Sequence, residues 1–169
     1  MKNMKKILVL IVLFSGFAAS SFAQSEATAT ANATMITPIS ISKINNMNFG
    51  TLAASATEGT VVLSAEASAT RTPDGGVTLH GGTVTAAKFT VTGAISTNYT
   101  ITIPSAAFPL TGAGTPMSVD TWISDPDATG NTGAGGTQDI YVGATLHVNA
   151  NQVAGVYTSA AFPVTVNYE

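Results

Sequence analysis

The sequence contains no cysteine and few charged side chains. Its 169 residues include two His and one Trp, and charged residues make up 9% of the chain, against roughly 25% in ordinary soluble domains. The absence of Cys excludes disulfide bonds, thiolate nucleophiles, cysteine zinc sites and a lipid anchor on an N-terminal cysteine. Stability must therefore come from a hydrophobic core or from a partner strand.

Cations are scarce beyond the first 23 residues. Only Lys43, Arg71 and Lys88 remain there, against all nine acidic residues of the chain. Nucleic acids and anionic membranes attract proteins with basic surfaces. Neither is therefore expected as a partner.

Long hydrophobic runs are also lacking, and the one short run belongs to a predicted signal peptide at residues 1–23. Lys2, Lys5 and Lys6 form a basic start, residues 7–14 are apolar, and Ser21-Phe22-Ala23 forms a cleavage site before Gln24. The run is well below the ~20 residues of a membrane helix. We expect an exported protein without a membrane span after cleavage, located at the cell surface or outside, by way of the periplasm in a Gram-negative cell.

The rest of the chain has a period of two. Val, Thr, Ile and Tyr dominate its apolar runs, and Gly and Pro interrupt them. The pattern predicts eight or nine short strands, a turn at residues 73–76 and a long loop over 124–138. This spacing indicates an all-β protein, an immunoglobulin-like β-sandwich with Greek-key connections. Its clearest strands are predicted over residues 59–67, 84–92, 98–103, 117–123 and 139–149.

Both ends of this exported part alternate. At the C-terminal end, one face carries Phe162, Val164, Val166 and Tyr168. We predict a sandwich domain over residues 37–169, preceded by an N-terminal extension over residues 24–36. Within the extension, residues 25–35 fit a strand donated to another chain, a first strand of the same domain, or a disordered leader. One face of the extension carries Ala27, Ala29, Ala31, Ala33 and Met35.

Several segments together resemble one family. They are the Ala/Thr-rich start, Ile39-Ser40-Ile41, Asn48-Phe49-Gly50, residues 87–93, Tyr99-Thr100-Ile101, residues 142–146, Gly155-Val156-Tyr157 and residues 162–168. With these segments the chain resembles the secreted bacterial family catalogued as domain of unknown function forty-four-oh-two, and its ending is similar to spore coat protein U and to the archaic chaperone–usher pilins. The resemblance covers nearly all of residues 24–169.

The pilin resemblance implies assembly by donor-strand complementation. A pilin lacks one strand of its sandwich, a periplasmic chaperone lends a strand, and the N-terminal extension of the next subunit replaces it at the outer-membrane usher. The resemblance implies residues 27–35 as the donated strand and residues 162–168 as the acceptor, with Tyr168 and Glu169 meeting the chaperone. The donor differs from pilins in presenting alanines, so Ile36, Ile39 and Ile41 are the alternative bulky residues.

Catalytic and metal-binding patterns are weak. Asp125, Asp127 and Thr129 match the start of a calcium loop, but Gly136 stands where the bidentate Glu belongs. The histidines, His80 and His147, are far apart in sequence, and no nucleophile–base pair or cofactor motif occurs. We therefore expect neither an enzyme nor a cofactor, and no metal beyond this calcium candidate.

The sequence thus favours a structural subunit of a surface fibre or coat, whose partners are copies of itself or related subunits. The alternative is a monomeric secreted β-sandwich that binds carbohydrate or a host protein, with Trp122 and Tyr141 as a stacking surface. A second alternative is a calcium-dependent matrix or coat component. In the monomeric sandwich, residues 162–168 would form an ordinary edge or core strand.

Overall fold

A computed structural model describes residues 24–169. The predicted signal peptide lies outside the described residues. The described part contains strands and no helix, so the prediction of an all-β fold is confirmed. Accordingly, no helix in residues 24–169 has the length and apolarity needed to cross a membrane. The strands are β1 (Ser40–Asn45), β2 (Asn48–Phe49), β3 (Leu52–Leu63), β4 (Arg71–Leu79), β5 (Val84–Thr85), β6 (Ala87–Thr92), β7 (Asn98–Thr102), β8 (Phe108–Thr111), β9 (Met117–Asp125), β10 (Thr129–Asn131), β11 (Thr137–Val148), β12 (Thr158–Ser159) and β13 (Thr165–Tyr168).

The chain divides into two compact units, residues 1–34 and residues 35–169. Of the first unit, residues 24–34 are described. They have no regular secondary structure and are exposed. All the strands belong to the second unit, called the domain below.

The long strand β11 organises the domain. One of its edges pairs with β9, while the other pairs first with β6 and then, after Gly143, with β3. The resulting large sheet has the order β1-β6-β11-β9-β8-β12, and the β3–β4 hairpin joins it at the second half of β11. As predicted from the alternation, Ile140, Val142, Ala144, Leu146 and Val148 of β11 are all buried.

A smaller sheet, β10-β7-β13, covers part of the large sheet. Tyr99 and Ile101 of β7 pack with Phe89, Val91 and Ile140 of the large sheet. They also pack with apolar side chains of residues 162–168, called the C-terminal stretch below. Two sheets therefore pack face to face through their apolar sides, which has the two-layer form of the predicted immunoglobulin-like sandwich.

The second half of the large sheet has much less cover. Its core joins inward residues of β3, β4, β9 and β11. From the opposite layer, the two-residue strand β2 adds Phe49 to this cluster, and β2 pairs only with the two-residue strand β5. Such short strands cover only part of this apolar face, and partly buried side chains such as Met47, Leu52 and Tyr157 pack over the rest. The inward residues of the large sheet here are Val61, Leu63, Val77, Met117, Val119, Ala144, Leu146 and Val148.

The predicted turn at residues 73–76 is wrong. These residues lie inside β4, and the hairpin turns at residues 64–70, where the Ser64 amide donates to the Thr70 carbonyl over 2.9 Å. Pro73 is tolerated because β4 is an edge strand. Gly75, with φ of 68°, lies where the β3–β4 register shifts between Ala54 and Gly59. The extra residues at this point belong to β3, so the glycines lie opposite a bulge and do not form a turn.

The predicted loop over residues 124–138 is also more structured than expected. Residues Thr129–Asn131 form β10 and pair with β7. The Thr132 hydroxyl, fully buried, donates to the Ala94 carbonyl and accepts from the Thr97 amide at 3.1 Å. These contacts join a polar side chain to backbone groups and leave no period-two pattern of apolar residues in the sequence. The sequence pattern therefore did not reveal them.

The buried Tyr99 side chain should make the free energy of unfolding of the domain decrease at alkaline pH. Its side chain is fully buried, its hydroxyl donates to Gln138 Oε1 over 2.7 Å, and burial raises its pKa above the ordinary value of 10.0. The folded state therefore holds this proton at a pH where the unfolded chain has released it. The contribution of Tyr99 to stability is complete below about pH 10 and is lost as the pH rises through the folded-state pKa.

We expect Tyr99→Phe to cost about 1 kcal/mol at neutral pH, from the lost hydrogen bond. We also expect its free energy of unfolding to decline less steeply than that of the wild type above pH 10. Urea unfolding between pH 7 and pH 11, followed by Trp122 fluorescence, measures both quantities. Identical pH slopes in the two proteins would contradict the assignment to Tyr99.

Candidate functional site

An open groove of about 1070 Å3 lies on the sparsely covered half of the large sheet. Residues 43–54 form one wall, called the N-terminal wall, and residues 152–162 form the other, called the C-terminal wall. The floor consists of inward side chains of the large sheet. The groove therefore lies where a further strand of the smaller sheet would otherwise cover the core.

The floor of the groove is apolar. Leu146 and Val148 of β11, Met117 and Val119 of β9, and Phe89 of β6 all line it. These are the same buried residues that form the two core clusters. Each of these side chains is at most 9% exposed, so the floor is the closed surface of the hydrophobic core rather than a separate polar pocket. The apolar side chains that water reaches are Val153 and Val156 of the C-terminal wall, 54% and 86% exposed, and such exposed apolar groups are typical of a site that another chain covers.

A bulge in β9 turns Trp122 into this groove. The β9–β11 register shifts between Gly143 and Thr145, and Thr121 has a φ of 48°. Alternation from Met117 and Val119 would have placed Trp122 on the outer face; the extra residue moves it inward. Its ring packs against Phe162 with centroids 4.6 Å apart, and its Nε1 donates to the Ala106 carbonyl over 3.0 Å.

The structure separates Trp122 from Tyr141. Tyr141 lies between the inward residues Ile140 and Val142 and therefore points to the outer face of β11. There Lys88 Nζ lies 5.6 Å from the centroid of its ring. A stacking surface that combines Trp122 with Tyr141 is not formed.

The N-terminal wall turns at Asn48-Phe49-Gly50. Asn48 Oδ1 accepts from the Gly50 amide over 2.8 Å, and Gly50 has a φ of 71°, which favours glycine. Phe49 is buried at the base of the wall. The Arg71 guanidinium donates to the carbonyls of Phe49 and Thr51, at 2.5 and 3.0 Å, and also to those of His80 and Gly81.

The C-terminal wall is fixed by amide side chains. Gln152 Nε2 donates to the Thr115 carbonyl over 2.7 Å, and Asn149 Nδ2 donates to Gln152 Oε1 over 2.8 Å. Further along, β12 pairs with β8 at the edge of the large sheet. The chain then crosses to the smaller sheet as β13.

Alternate apolar residues of the C-terminal stretch, residues 162–168, pack into the core cluster formed by β6, β7 and β11. Val164 is buried, and Phe162, Val166 and Tyr168 are partly buried against the same cluster. The strand β13 pairs with β7 on one edge. Within the described residues no strand pairs with its other edge, so backbone donors and acceptors remain there for an added strand.

Tyr168 joins this strand to the point where the N-terminal extension enters the domain. Its hydroxyl donates to the Thr37 carbonyl over 2.8 Å and accepts from the Ala94 amide at 2.5 Å. Gly93 leaves room for it, because a Cβ there would lie 2.2 Å from the hydroxyl oxygen. The extension therefore enters beside the end of β13, whereas the groove begins at the other end of β1.

The candidate donor residues have different surroundings. Ala27, Ala29, Ala31 and Ala33 are exposed, and so are Met35 and Ile36, at 93% and 56%. Residues 24–39 form no strand pair with residues 24–169 of the same chain. Ile39 and Ile41, in contrast, already pack against the domain's own core.

The calcium candidate residues end one strand and begin another. Asp125 closes β9, Thr129 opens β10, and Asp127 lies between them. Across residues 24–169, no three Asp, Glu, His or Cys side chains come together as a metal site. His147 Nε2 lies 2.8 Å from Asp120 Oδ1 on the outer face, and the His80 carbonyl accepts from Arg71.

Asp139, the next acid after the calcium candidate, serves an ion pair. Its Oδ2 lies 2.7 Å from Lys88 Nζ, and its Oδ1 accepts from the Thr90 hydroxyl over 2.7 Å. The hydrogen bond from Lys88 lowers the pKa of Asp139, and the same bond raises the pKa of Lys88. Both side chains are partly exposed, so the pair contributes little to stability.

The chain belongs to the family described as Domain of unknown function (DUF4402), whose model matches residues 39–168. This match confirms the family recognised from the sequence. It covers every strand from β1 to β13, while residues 1–38 lie outside it. No curated protein and no solved structure matches it.

Proposed function

We propose that the protein is a structural, non-enzymatic, exported subunit of a surface fibre or coat, and that its subunits assemble by donor-strand complementation. The observation that carries this proposal is the apolar groove on the sparsely covered half of the large sheet. The groove reaches Phe162, just before β13, and within residues 24–169 no strand pairs with the outer edge of β13. One added strand would cover the apolar floor and pair with that edge.

Strand addition suits both surfaces of the site. Backbone hydrogen bonds along β13 would supply affinity, and alternate side chains of the added strand would contact the floor. The apolar side chains that would then leave water are Val153 and Val156 of the C-terminal wall, which are 54% and 86% exposed, at roughly 25 cal/mol for each Å2 buried. A monomer with this groove open leaves these apolar side chains in water, which favours association.

The proposed occupant is the N-terminal extension of a second copy. It is extended in sequence pattern, exposed and unpaired, and it enters the domain beside Tyr168. To fill the groove of its own domain, the extension would first have to double back along β1, from Thr37 to Lys43, about 20 Å of extended chain. Insertion into a neighbour avoids this reversal.

The small donor side chains match a groove whose floor already carries bulky rings. Phe49, Phe89 and Trp122 occupy much of the depth beneath an added strand. Alanine contributes about 0.8 kcal/mol less for each missing methylene than a larger residue. Backbone pairing would therefore carry most of the affinity, and Met35 would add the one bulky contact on that face.

Donation to a neighbour gives an open, head-to-tail assembly. The donating and accepting surfaces differ, so each added copy leaves one free groove and one free extension. The open groove of a new subunit would need protection before assembly, and a periplasmic chaperone with an outer-membrane usher would supply it. Neither calcium nor a cofactor enters this scheme.

Deletion of residues 24–36 tests the proposal. The exported wild type should give a ladder of bands in SDS that collapses to one band after boiling, because a completed sandwich opens slowly. The deletion variant should give only the monomer band. A ladder that survives the deletion would refute donation by the extension.

A face-specific pair of variants controls for composition. Ala29→Asp with Ala31→Asp places two charges on the proposed inward face, and Thr28→Asp with Thr30→Asp places the same charges on the outward face. The first variant should remove the ladder and the second should retain it, because an unpaired charge in an apolar groove costs several kcal/mol. Equal effects of the two variants would contradict a defined donor strand.

The alternative of a monomeric, carbohydrate-binding sandwich is favoured by one observation. Trp122 and Phe162 line the groove, and Asn45, Asn48 and Gln152 supply amide groups at its rim. An aromatic face beside amides is a common way to bind a sugar ring. A wild type without a ladder, whose Trp122 emission responds to soluble oligosaccharides, would support this alternative.

A further inference from the structure

Arg71 makes four hydrogen bonds, and all its acceptors are backbone carbonyls. Its Nη1 serves Phe49 and Thr51, and its Nη2 serves His80 and Gly81. The two ion pairs found among residues 24–169 involve Lys88 and His147 instead. One guanidinium thus ties two separate backbone segments together without an acidic partner.

The first of these segments, residues 49–51, belongs to the N-terminal wall of the groove and lies between the short β2–β5 pair and the β3–β4 ladder, which begins at Leu52. Its strand β2 is two residues long and pairs with the two-residue strand β5. A ladder of that length is not stable by itself. Beyond Phe49, two backbone bonds of 3.0 Å join Thr51 to His80 and Gly81. The Arg71 bonds reinforce that junction.

Gly50 is shaped for this contact. A Cβ at Gly50 would lie 2.7 Å from Arg71 Nη1 and 3.1 Å from Val84 Cγ2, and its φ of 71° is unfavourable for other residues. The Asn48 side chain stabilises the same turn by accepting from the Gly50 amide. The segment Asn48-Phe49-Gly50 therefore folds so that its carbonyl oxygen at Phe49 meets the guanidinium.

We propose that Arg71 is the positioning residue of the groove: it holds the N-terminal wall in place before any strand enters, so that the groove is preformed. The inference rests on the proposed function, since a preformed groove matters only if a strand is to be received. A preformed site binds more tightly because less chain is ordered on binding. Arg71 itself does not line the groove.

Hydrogen exchange of the full chain tests the positioning role without any partner. We expect Arg71→Ala to lower the protection of amides in residues 46–54 by about tenfold or more relative to amides in β6 and β11. Gly50→Ala keeps the guanidinium in the protein but displaces it from the wall, so this variant should lower the protection of the same amides. Arg71→Lys should restore part of the protection, and Lys88→Ala, a cation removed from the outer face of the large sheet, should leave the amides of residues 46–54 unchanged.

Loss of protection spread evenly over the domain would overturn the proposal, because Arg71 would then stabilise the fold as a whole. Unchanged protection in residues 46–54 would overturn it as well. Arg71→Lys and Gly50→Ala keep the test decisive if Arg71→Ala does not fold.

Peptide binding links the positioning role to the groove. The full chain with Ala29→Asp and Ala31→Asp serves as the parent, and the probe is a synthetic peptide of residues 25–38 in the wild-type sequence. Trp122, the sole tryptophan, reports occupancy by its emission. Adding Arg71→Ala should raise the peptide Kd about tenfold or more, Arg71→Lys should raise it less, and Lys88→Ala, outside the groove, should leave it unchanged.

The two readouts separate the possible failures. If the parent does not bind the peptide, the proposed function is wrong, while hydrogen exchange still decides whether Arg71 positions the wall. If the parent binds and Arg71→Ala binds equally well, the positioning role is wrong and strand donation stands.

Discussion

Gly143→Ala is expected to lower the free energy of unfolding by about 3 kcal/mol or more. Gly143 lies where β11 changes partner from β6 to β3. A Cβ there would lie 2.2 Å from the Leu63 carbonyl oxygen and 2.8 Å from the Ser64 carbonyl carbon. Both contacts are backbone, so no side-chain rotation relieves them, and the two strands must separate.

Urea unfolding followed by Trp122 fluorescence measures this effect. Gly135→Ala is the matched control, because a Cβ at Gly135 has its nearest neighbour at 3.8 Å, an ordinary contact. The control should unfold within about 0.5 kcal/mol of the wild type. If Gly143→Ala unfolds at the wild-type midpoint, the close approach of β3 to β11 is incorrect.

Leu146→Ala is expected to cost about 2–5 kcal/mol. Leu146 is 1% exposed in the core cluster beneath the groove, and it also lines the groove floor. Truncation removes apolar contacts with both sides of the core, and the surrounding strands are held by their ladders and cannot close the space. The variant should also bind an added strand less tightly, because the floor loses contact area.

Val62→Ala is the control for this truncation. Val62 lies on β3 opposite Thr145, the neighbour of Leu146, and is 44% exposed on the other face of the sheet. Its truncation should change the free energy of unfolding by no more than about 0.5 kcal/mol. Equal costs for the two variants in urea titration would mean that Leu146 is not at the centre of the core.

The period-two pattern predicted the strands that lie in the well-covered part of the sandwich. In β11 and β7, alternation alone identified the buried residues Ile140, Val142, Tyr99 and Ile101. Such strands have one face on the core and one on solvent, so their sequence reports their orientation directly. The family was recognised on the same segments.

The sequence pattern failed where backbone geometry departs from regular alternation. The bulge at Thr121 reverses the face of Trp122, and no apolar period marks that reversal. Gly75 and Gly76 gave a turn signal, yet they lie inside β4 opposite a bulge in β3, because the positive φ of Gly75 suits a turn and a bulge alike. Local composition does not distinguish the two.

The period-two pattern did not reveal the groove, because the groove depends on what covers the large sheet; only the resemblance to pilins implied a missing strand. Leu146 and Val119 look like ordinary core residues in the sequence, whether or not a second layer lies above them. Arg71 was missed because its acceptors are carbonyls, which carry no sequence signal. The turn residues Asn48 and Gly50 were the available sign that the backbone there is shaped for a close contact.

The hydrogen bond between Tyr168 and Thr37 holds the first and last segments of the domain beside each other. Two residues 131 positions apart in the chain are joined by a single 2.8 Å contact. Circular permutation of a domain is tolerated when its two ends lie close together. A short peptide could therefore connect the end of β13 to the start of β1, and new termini could be opened in another exposed turn, such as residues 64–70. The extension could then be attached at a chosen position on the domain without changing its strand pairing.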